Sequence, residues 1–186
     1  MGKQNTFTPE CAMCKIEKKI CSHPDGRGPS NCPTLHLKDV IEKSLFEYGR
    51  SKVKTFARNA TIQEGECYVN KGIDNPHTRF AIKPRVQETI EFANKMGYKH
   101  LGIAFCNGLL EEAGILTEIL NAQGFQVSSV ICPVGRIPKE EVLGLKEEQK
   151  VTPGSFEAMC NPITQALILS EVKTEFNILV GLCVGH

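Results

Sequence analysis

The sequence predicts an α/β protein in which a mostly parallel sheet with flanking helices follows a small cysteine-rich segment. Apolar segments with helical and strand patterns alternate from Pro84 to the last residues. The first 34 residues differ, because they hold four cysteines and show no hydrophobic periodicity. The whole chain has 186 residues, 41% of them hydrophobic, which suits one main core. We therefore divide it into a four-cysteine metal-binding segment, residues 1–34, and an α/β domain, residues 35–186.

Helical patterns fill the first part of the α/β domain. The helical spacing i, i+3, i+4, i+8 is followed by Leu37, Val40, Ile41 and Leu45. Gly49 is expected to break or bend this helix, and a similar pattern resumes up to residue 61. The next helix is predicted from Val86 to Met96, and Gly97 is a natural C-terminal stop.

Three apolar segments then have the composition of strands: "LGIAF" (101–105), "FQVSSVI" (125–131) and "NILVGLCVGH" (177–186). A helix from Leu109 to Leu120, stopped by Gly124, is predicted between the first two. Residues 133–156 are expected to be a long connection. Asn161-Pro162 then begins a third helix, because Asn is a good N-cap and Pro is preferred at the first helical position. Alternation of this kind favours parallel strands.

Composition and charge narrow the classes of function. The chain has 22 basic and 21 acidic residues, a balance that argues against a nucleic-acid partner. It begins without the apolar core of a signal peptide and has no apolar run of the roughly 18 residues that span a membrane. We therefore expect no membrane partner and a cytoplasmic location. In that setting, nine cysteines indicate metal or redox chemistry rather than disulfides.

Four cysteines of the first segment have the spacing C-x2-C-x6-C-x10-C, at Cys11, Cys14, Cys21 and Cys32. Four nearby thiolates can complete a tetrahedral metal site, and in a segment without a core the metal would supply the folding energy. Zinc is preferred to an iron–sulfur cluster because the spacing differs from that of the common ferredoxin motif. The alternative is four unrelated thiols in a flexible tail. His23 is more typical of a turn residue beside Pro24.

A second group of cysteines is predicted at the carboxyl edge of the sheet, where open α/β folds bind ligands. Cys106 and Cys132 directly follow the first two strands, Cys183 lies near the end of the third, and Cys160 precedes the third helix. These four are the candidate cofactor-binding residues, for a second metal, an iron–sulfur cluster or a thiol-reactive small molecule. The alternative is that they are buried core thiols. Two weaker observations remain: His186 is a less convincing ligand, and Cys67 has no identifiable partner.

The motifs "IAFCNGLLEEA", "PGSFEAMCNPITQA" and "NILVGLCVGH", behind the four-cysteine N-terminus, resemble the bacterial domain-of-unknown-function family 1847. Its members are commonly labelled metal-binding proteins, with no assigned reaction. The resemblance implies metal binding through cysteines. Members of this family usually continue past the Gly-His pair, so a C-terminal truncation of the domain is one expectation.

Two classes of function follow. The first is a metal-binding protein that acts as an enzyme on an unknown substrate, through redox chemistry at thiolates or Lewis-acid activation by a metal. The alternative is a non-catalytic metal carrier or sensor, or a zinc-stabilised interaction module. Edge cysteines that converge around an open pocket would favour the first class. Scattered, buried thiols would favour a structural zinc domain.

Overall fold

The computed structural model describes residues 7–72 and 80–181. The chain folds as two compact units, Met1–Arg58 and Asn59–His186. The sequence-based boundary after residue 34 remains a prediction.

The first unit has little apolar core. Its described residues include a 3-10 turn, Cys11–Met13, and the helices α1 (Pro33–His36) and α2 (Lys38–Tyr48). Among its described residues only Cys32 is buried, with 8% of its surface exposed. The predicted apolar face of α2 forms, but its large side chains remain exposed to solvent. Apolar burial therefore contributes little to the stability of this unit.

The predicted break at Gly49 is present. Helix α2 ends there, and α3 (Ser51–Glu66) begins two residues later and crosses the division between the units.

The second unit is the α/β part, and its fold class is as predicted. Its larger elements are α4 (Arg85–Met96), β1 (His100–Phe105), α5 (Leu110–Ala122), β2 (Gln126–Ile131), α6 (Lys139–Leu143), α7 (Pro162–Glu171) and β3 (Phe176–Val180). The described part of this unit also contains two 3-10 turns, Asn107–Leu109 and Glu147–Gln149. The strands are parallel in the order β2-β1-β3, and Ala104 pairs with Val130 on one side and Leu179 on the other. The carboxyl ends of all three strands therefore lie along one edge.

The core of this unit lies against β1. Leu101 and Ile103 are fully buried there, as is Leu120 of α5, and Phe125 just before β2 joins them. Strand β1 is buried because it is the central strand. This burial explains why its sequence is almost continuously apolar rather than alternating.

The helix ends follow the sequence signals. Gly97 has a φ of 73° and closes α4, and its N–H bonds to the carbonyl of Asn94. Asn161 caps α7, because its Oδ1 accepts a hydrogen bond of 3.0 Å from the N–H of Thr164.

Two predicted segments differ from the structure. The connection over 133–156 contains the short helix α6 and a 3-10 turn. Strand β3 ends at Val180, and Gly181 then has a φ of 74°. The remainder of "NILVGLCVGH" lies outside the described residues. No helix in the described ranges has the length and apolar character needed to cross a membrane.

Candidate thiol sites

Three of the predicted edge cysteines line one cavity of about 190 Å³ at the carboxyl edge of the sheet. They are Cys106, Cys132 and Cys160, each partly buried. The cavity walls are mainly apolar, with side chains of α7 and of the strands among them. The other two candidates, Cys183 and His186, lie outside the described residues.

Backbone hydrogen bonds tie these cysteines to the strand ends. The N–H of Cys106 donates to the carbonyl of Val180 at 3.0 Å, and the N–H of Cys132 donates to that of Phe105 at 2.9 Å. The hydrogen-bond ladder of the parallel sheet thus continues one residue beyond β1 and one residue beyond β2. Both cysteines begin the loops that leave the sheet at the edge predicted from the sequence.

Cys132 is the central member of the group. Its Sγ accepts a hydrogen bond of 3.3 Å from the N–H of Asn107, the residue after Cys106. Its carbonyl accepts one of 2.8 Å from the N–H of Asn161, the residue after Cys160. Cys132 is therefore bonded to the residues that directly follow both of the other cysteines.

Gln165 is a site residue that the sequence analysis missed. It lines the cavity from α7 and is 7% exposed. Its Nε2 donates to the carbonyls of Val130 at 2.7 Å and Phe105 at 3.2 Å. The side-chain amide of Gln165 thus joins α7 to the carboxyl ends of the neighbouring strands β1 and β2. The available signal was its position one turn after the Asn161 cap, on the side of the helix that faces the strand ends.

The connection from β2 to α7 brings Cys160 to the cavity. The N–H of Lys139 donates to the carbonyl of Glu157 at 3.0 Å, and the N–H of Met159 donates to that of Ile137 at 2.8 Å. Lys139 and Glu157 also form a partly buried ion pair of 2.6 Å. The ammonium of Lys139, followed by the N–H of Thr152, holds the pKa of Glu157 below its ordinary range. These contacts join the start of the connection, at Ile137 and Lys139, to its last residues before Cys160.

Gly181 allows close packing at the end of β3. Its φ of 74° belongs to the left-handed region that favours glycine. A Cβ at this position would collide with Leu109 and approach the Cβ of Cys106 to 3.3 Å. Gly181, the residue directly after β3, is thus packed against the loop after β1.

A separate pocket lies in the first unit. It measures about 70 Å³ and is lined by the four predicted ligands Cys11, Cys14, Cys21 and Cys32. The segment between them is folded by a bridge between Lys19 and Arg27, in which the N–H of Ile20 donates to the carbonyl of Arg27 at 2.9 Å. Cys11 and Cys21 are exposed. The four cysteines thus line one pocket, and their role as metal ligands stays a prediction.

Neither set of cysteines is arranged as a ready-made metal site. Across residues 7–72 and 80–181, no group of three or more His, Cys, Asp or Glu side chains is placed so that it could hold a metal ion. Zinc, iron–sulfur and second-metal binding therefore remain predictions.

Cys67 belongs to neither pocket. It is fully buried, and its Sγ donates to the carbonyl of Gln63 at 2.9 Å. Burial is the main cause that raises the pKa of the Cys67 thiol, and a hydrogen bond with Glu88 adds to it. The sequence alone identified no partner for Cys67, and in the structure its thiol bonds to the preceding turn of α3.

Fold and sites define a small parallel α/β protein whose strand ends carry cysteines, with a four-cysteine pocket in its N-terminal unit. The family described as "Protein of unknown function (DUF1847)" matches residues 32–186, and the chain belongs to that family. This confirms the resemblance seen in the sequence.

One relative is an uncharacterized protein, MJ0455, of Methanocaldococcus jannaschii. The two are 42% identical over 177 residues, which cover 95% of this chain and 77% of the relative. Because that organism is an archaeon, the family extends beyond bacteria. No solved structure matches the chain significantly.

Proposed function

We propose that the protein is a cysteine-dependent metal-binding protein in which Cys11, Cys14, Cys21 and Cys32 hold one zinc ion. The observation that supports this most directly is that all four line a single pocket of about 70 Å³. Four thiolates form a donor set that zinc accepts in tetrahedral geometry.

The first unit also has a physical need for a metal. Cys32 is the one buried residue among its described residues, so apolar burial cannot account for its folding. Zinc binding would supply the missing free energy by joining the two ends of the segment. Closing the site requires the sulfurs to move together. Cys11 and Cys21 are exposed and can change rotamer with little disturbance of packing.

The second part of the proposal is a thiolate site at the carboxyl edge of the sheet, formed by Cys106, Cys132 and Cys160. Its support is their shared cavity and the hydrogen bonds that link Cys132 to the residues beside the other two. Cys183 is the predicted fourth member. A cytoplasmic location, where thiols stay reduced, belongs to the same proposal.

The test is elemental analysis with a visible spectrum after anaerobic purification of the full chain. We expect about one zinc ion per chain and no iron–sulfur absorption. The double variant Cys11→Ser/Cys14→Ser should lose the zinc. Cys132→Ser, a matched control in the other pocket, should keep it. Iron with sulfide, or zinc that survives the double substitution, would overturn the N-terminal assignment.

A further inference from the structure

We infer that the cavity at the carboxyl edge binds a small, uncharged, mainly apolar molecule that presents a soft electrophilic atom to the cysteine sulfurs. This inference rests on the proposed thiolate site at that edge and names the class of ligand that it takes. It is independent of the N-terminal zinc.

The size of the cavity favours a molecule over a bare ion. At about 190 Å³ it has room for several non-hydrogen atoms, whereas a metal ion held by thiolates needs only the space between its ligands.

The lining selects against charge. Phe105, Leu169 and Leu179 contribute apolar walls, and no Lys, Arg, Asp or Glu is among the described residues that line the cavity. An anion would lose its hydration there without gaining a cationic partner and would be repelled by the thiolates of the proposed site, whereas a cation would be held by them as an ion pair rather than offer an electrophilic atom. The ligand is therefore uncharged.

Two kinds of group give the cavity its chemistry. Cys106, Cys132 and Cys160 line one space, and their thiols are soft nucleophiles. Gln165 adds an amide whose Nε2 is already committed to two carbonyls. Its Oε1 is the other polar atom of this side chain, and an amide oxygen can accept a hydrogen bond from a ligand. The lining also holds the amide of Asn177, so an apolar body, a soft electrophilic atom and few polar groups describe the ligand.

The test uses two reagents that share one reaction and differ in charge. Methyl methanethiosulfonate is small and neutral, and 2-sulfonatoethyl methanethiosulfonate carries a negative charge. With either reagent, the thiolate forms an S–S bond to the transferred sulfur while the S–S bond of the reagent breaks. Methanesulfinate leaves with the electron pair, and the thiol proton goes to the buffer. The cysteine is oxidised to a mixed disulfide and the reagent is reduced.

Rates at each cysteine are followed in the full chain by mass spectrometry of peptides and divided by the rate with N-acetylcysteine in solution. We expect the neutral reagent to modify the edge cysteines at least about tenfold faster than the charged one after this normalisation, a difference of about 1.4 kcal/mol.

A matched pair of variants on α7 tests whether the cavity causes the difference. Ala166 lines the cavity, and Ser170 lies one turn further along and is exposed. Ala166→Leu should fill the space and reduce the rate for the neutral reagent about tenfold, and Ser170→Leu should leave it unchanged. Unfolding curves check that both variants fold.

The outcomes separate this inference from the proposed function. Equal normalised rates for the two reagents, or no effect of Ala166→Leu, would overturn the ligand class while leaving the thiolate site in place. Edge cysteines that react no faster than the buried Cys67 would overturn the thiolate site and the inference with it. Neither result bears on the zinc content.

Discussion

The N–H of Asn107 donates a hydrogen bond of 3.3 Å to the Sγ of Cys132, across 25 residues of sequence. This contact joins the loop after β1 to the loop after β2, because Asn107 follows Cys106 and Cys132 follows the end of β2. It arises from the parallel register, in which Phe105 pairs with Ile131. Cysteines placed directly after two paired strands must become neighbours.

The amide of Gln165 should contribute to stability as well as to the cavity. Gln165→Leu removes the donor shared by the carbonyls of Phe105 and Val130. We expect the free energy of unfolding in urea to fall by about 1–3 kcal/mol, the cost of losing a buried donor. Glu171→Gln, at the exposed end of the same helix, is the control and should change it little. Equal stabilities of the two variants would show that Gln165 does not join α7 to the strands.

Gly181 should accept a side chain only with strain and with movement of Leu109. Gly181→Ala introduces both a strained φ and a collision with Leu109. Gly124 separates these effects, because its φ of 87° is also left-handed but a Cβ there would meet nothing within 4 Å. We expect Gly124→Ala to lower the free energy of unfolding by about 1 kcal/mol through backbone strain alone. Gly181→Ala should lower it by clearly more, and a similar loss in both would contradict the close packing against Leu109.

The ion pair between Lys139 and Glu157 should make the position of Cys160 sensitive to pH. Because the pKa of Glu157 is lowered in the folded protein, its ion pair stabilises the connection above the pKa of the unfolded chain. That stabilisation is lost as the pH falls through the folded pKa. Hydrogen-exchange protection factors of the Met159 and Asn161 amides should therefore decrease on acidification.

Glu157→Gln should lower this protection at neutral pH and remove its dependence on acid. Glu148→Gln, at an exposed carboxylate of the same connection, should behave as the unmodified protein does. A protection factor that falls equally with acid in Glu157→Gln would show that another group controls the connection.

Cys67 should be the least reactive described cysteine of the second unit. It is fully buried, and the pKa of its thiol is raised mainly by that burial. Reaction with N-ethylmaleimide in the native state should be about a hundredfold slower than at Cys132. Its rate should rise with urea in step with unfolding. Fast reaction without urea would mean that the end of α3 opens locally.

The sequence predicted those features that depend on a few neighbouring residues. Asn161-Pro162 predicted the start of α7, and Gly97 predicted the end of α4, because caps are local interactions. The shared edge of Cys106 and Cys132 could also be predicted, since it requires only that each follows a parallel strand.

Features set by distant contacts could not be predicted in this way. The carbonyls that accept from Gln165 lie 35 and 60 residues away, and the ion pair of Glu157 spans 18 residues. The short helix α6 lacks the length for a recognisable periodicity. The apolar residues of α2 predicted a helix correctly. Their spacing, however, does not show whether other parts of the chain pack against the apolar face.

The measurement that tests the metal-binding proposal most directly is the visible spectrum of the full chain loaded with cobalt(II) in place of zinc. We expect one cobalt ion per chain, with the intense bands of a tetrahedral thiolate complex. These bands should disappear in Cys14→Ser and persist in Cys132→Ser. A weak spectrum of octahedral cobalt in the unmodified chain, or intense bands that survive Cys14→Ser, would contradict a zinc site built from Cys11, Cys14, Cys21 and Cys32.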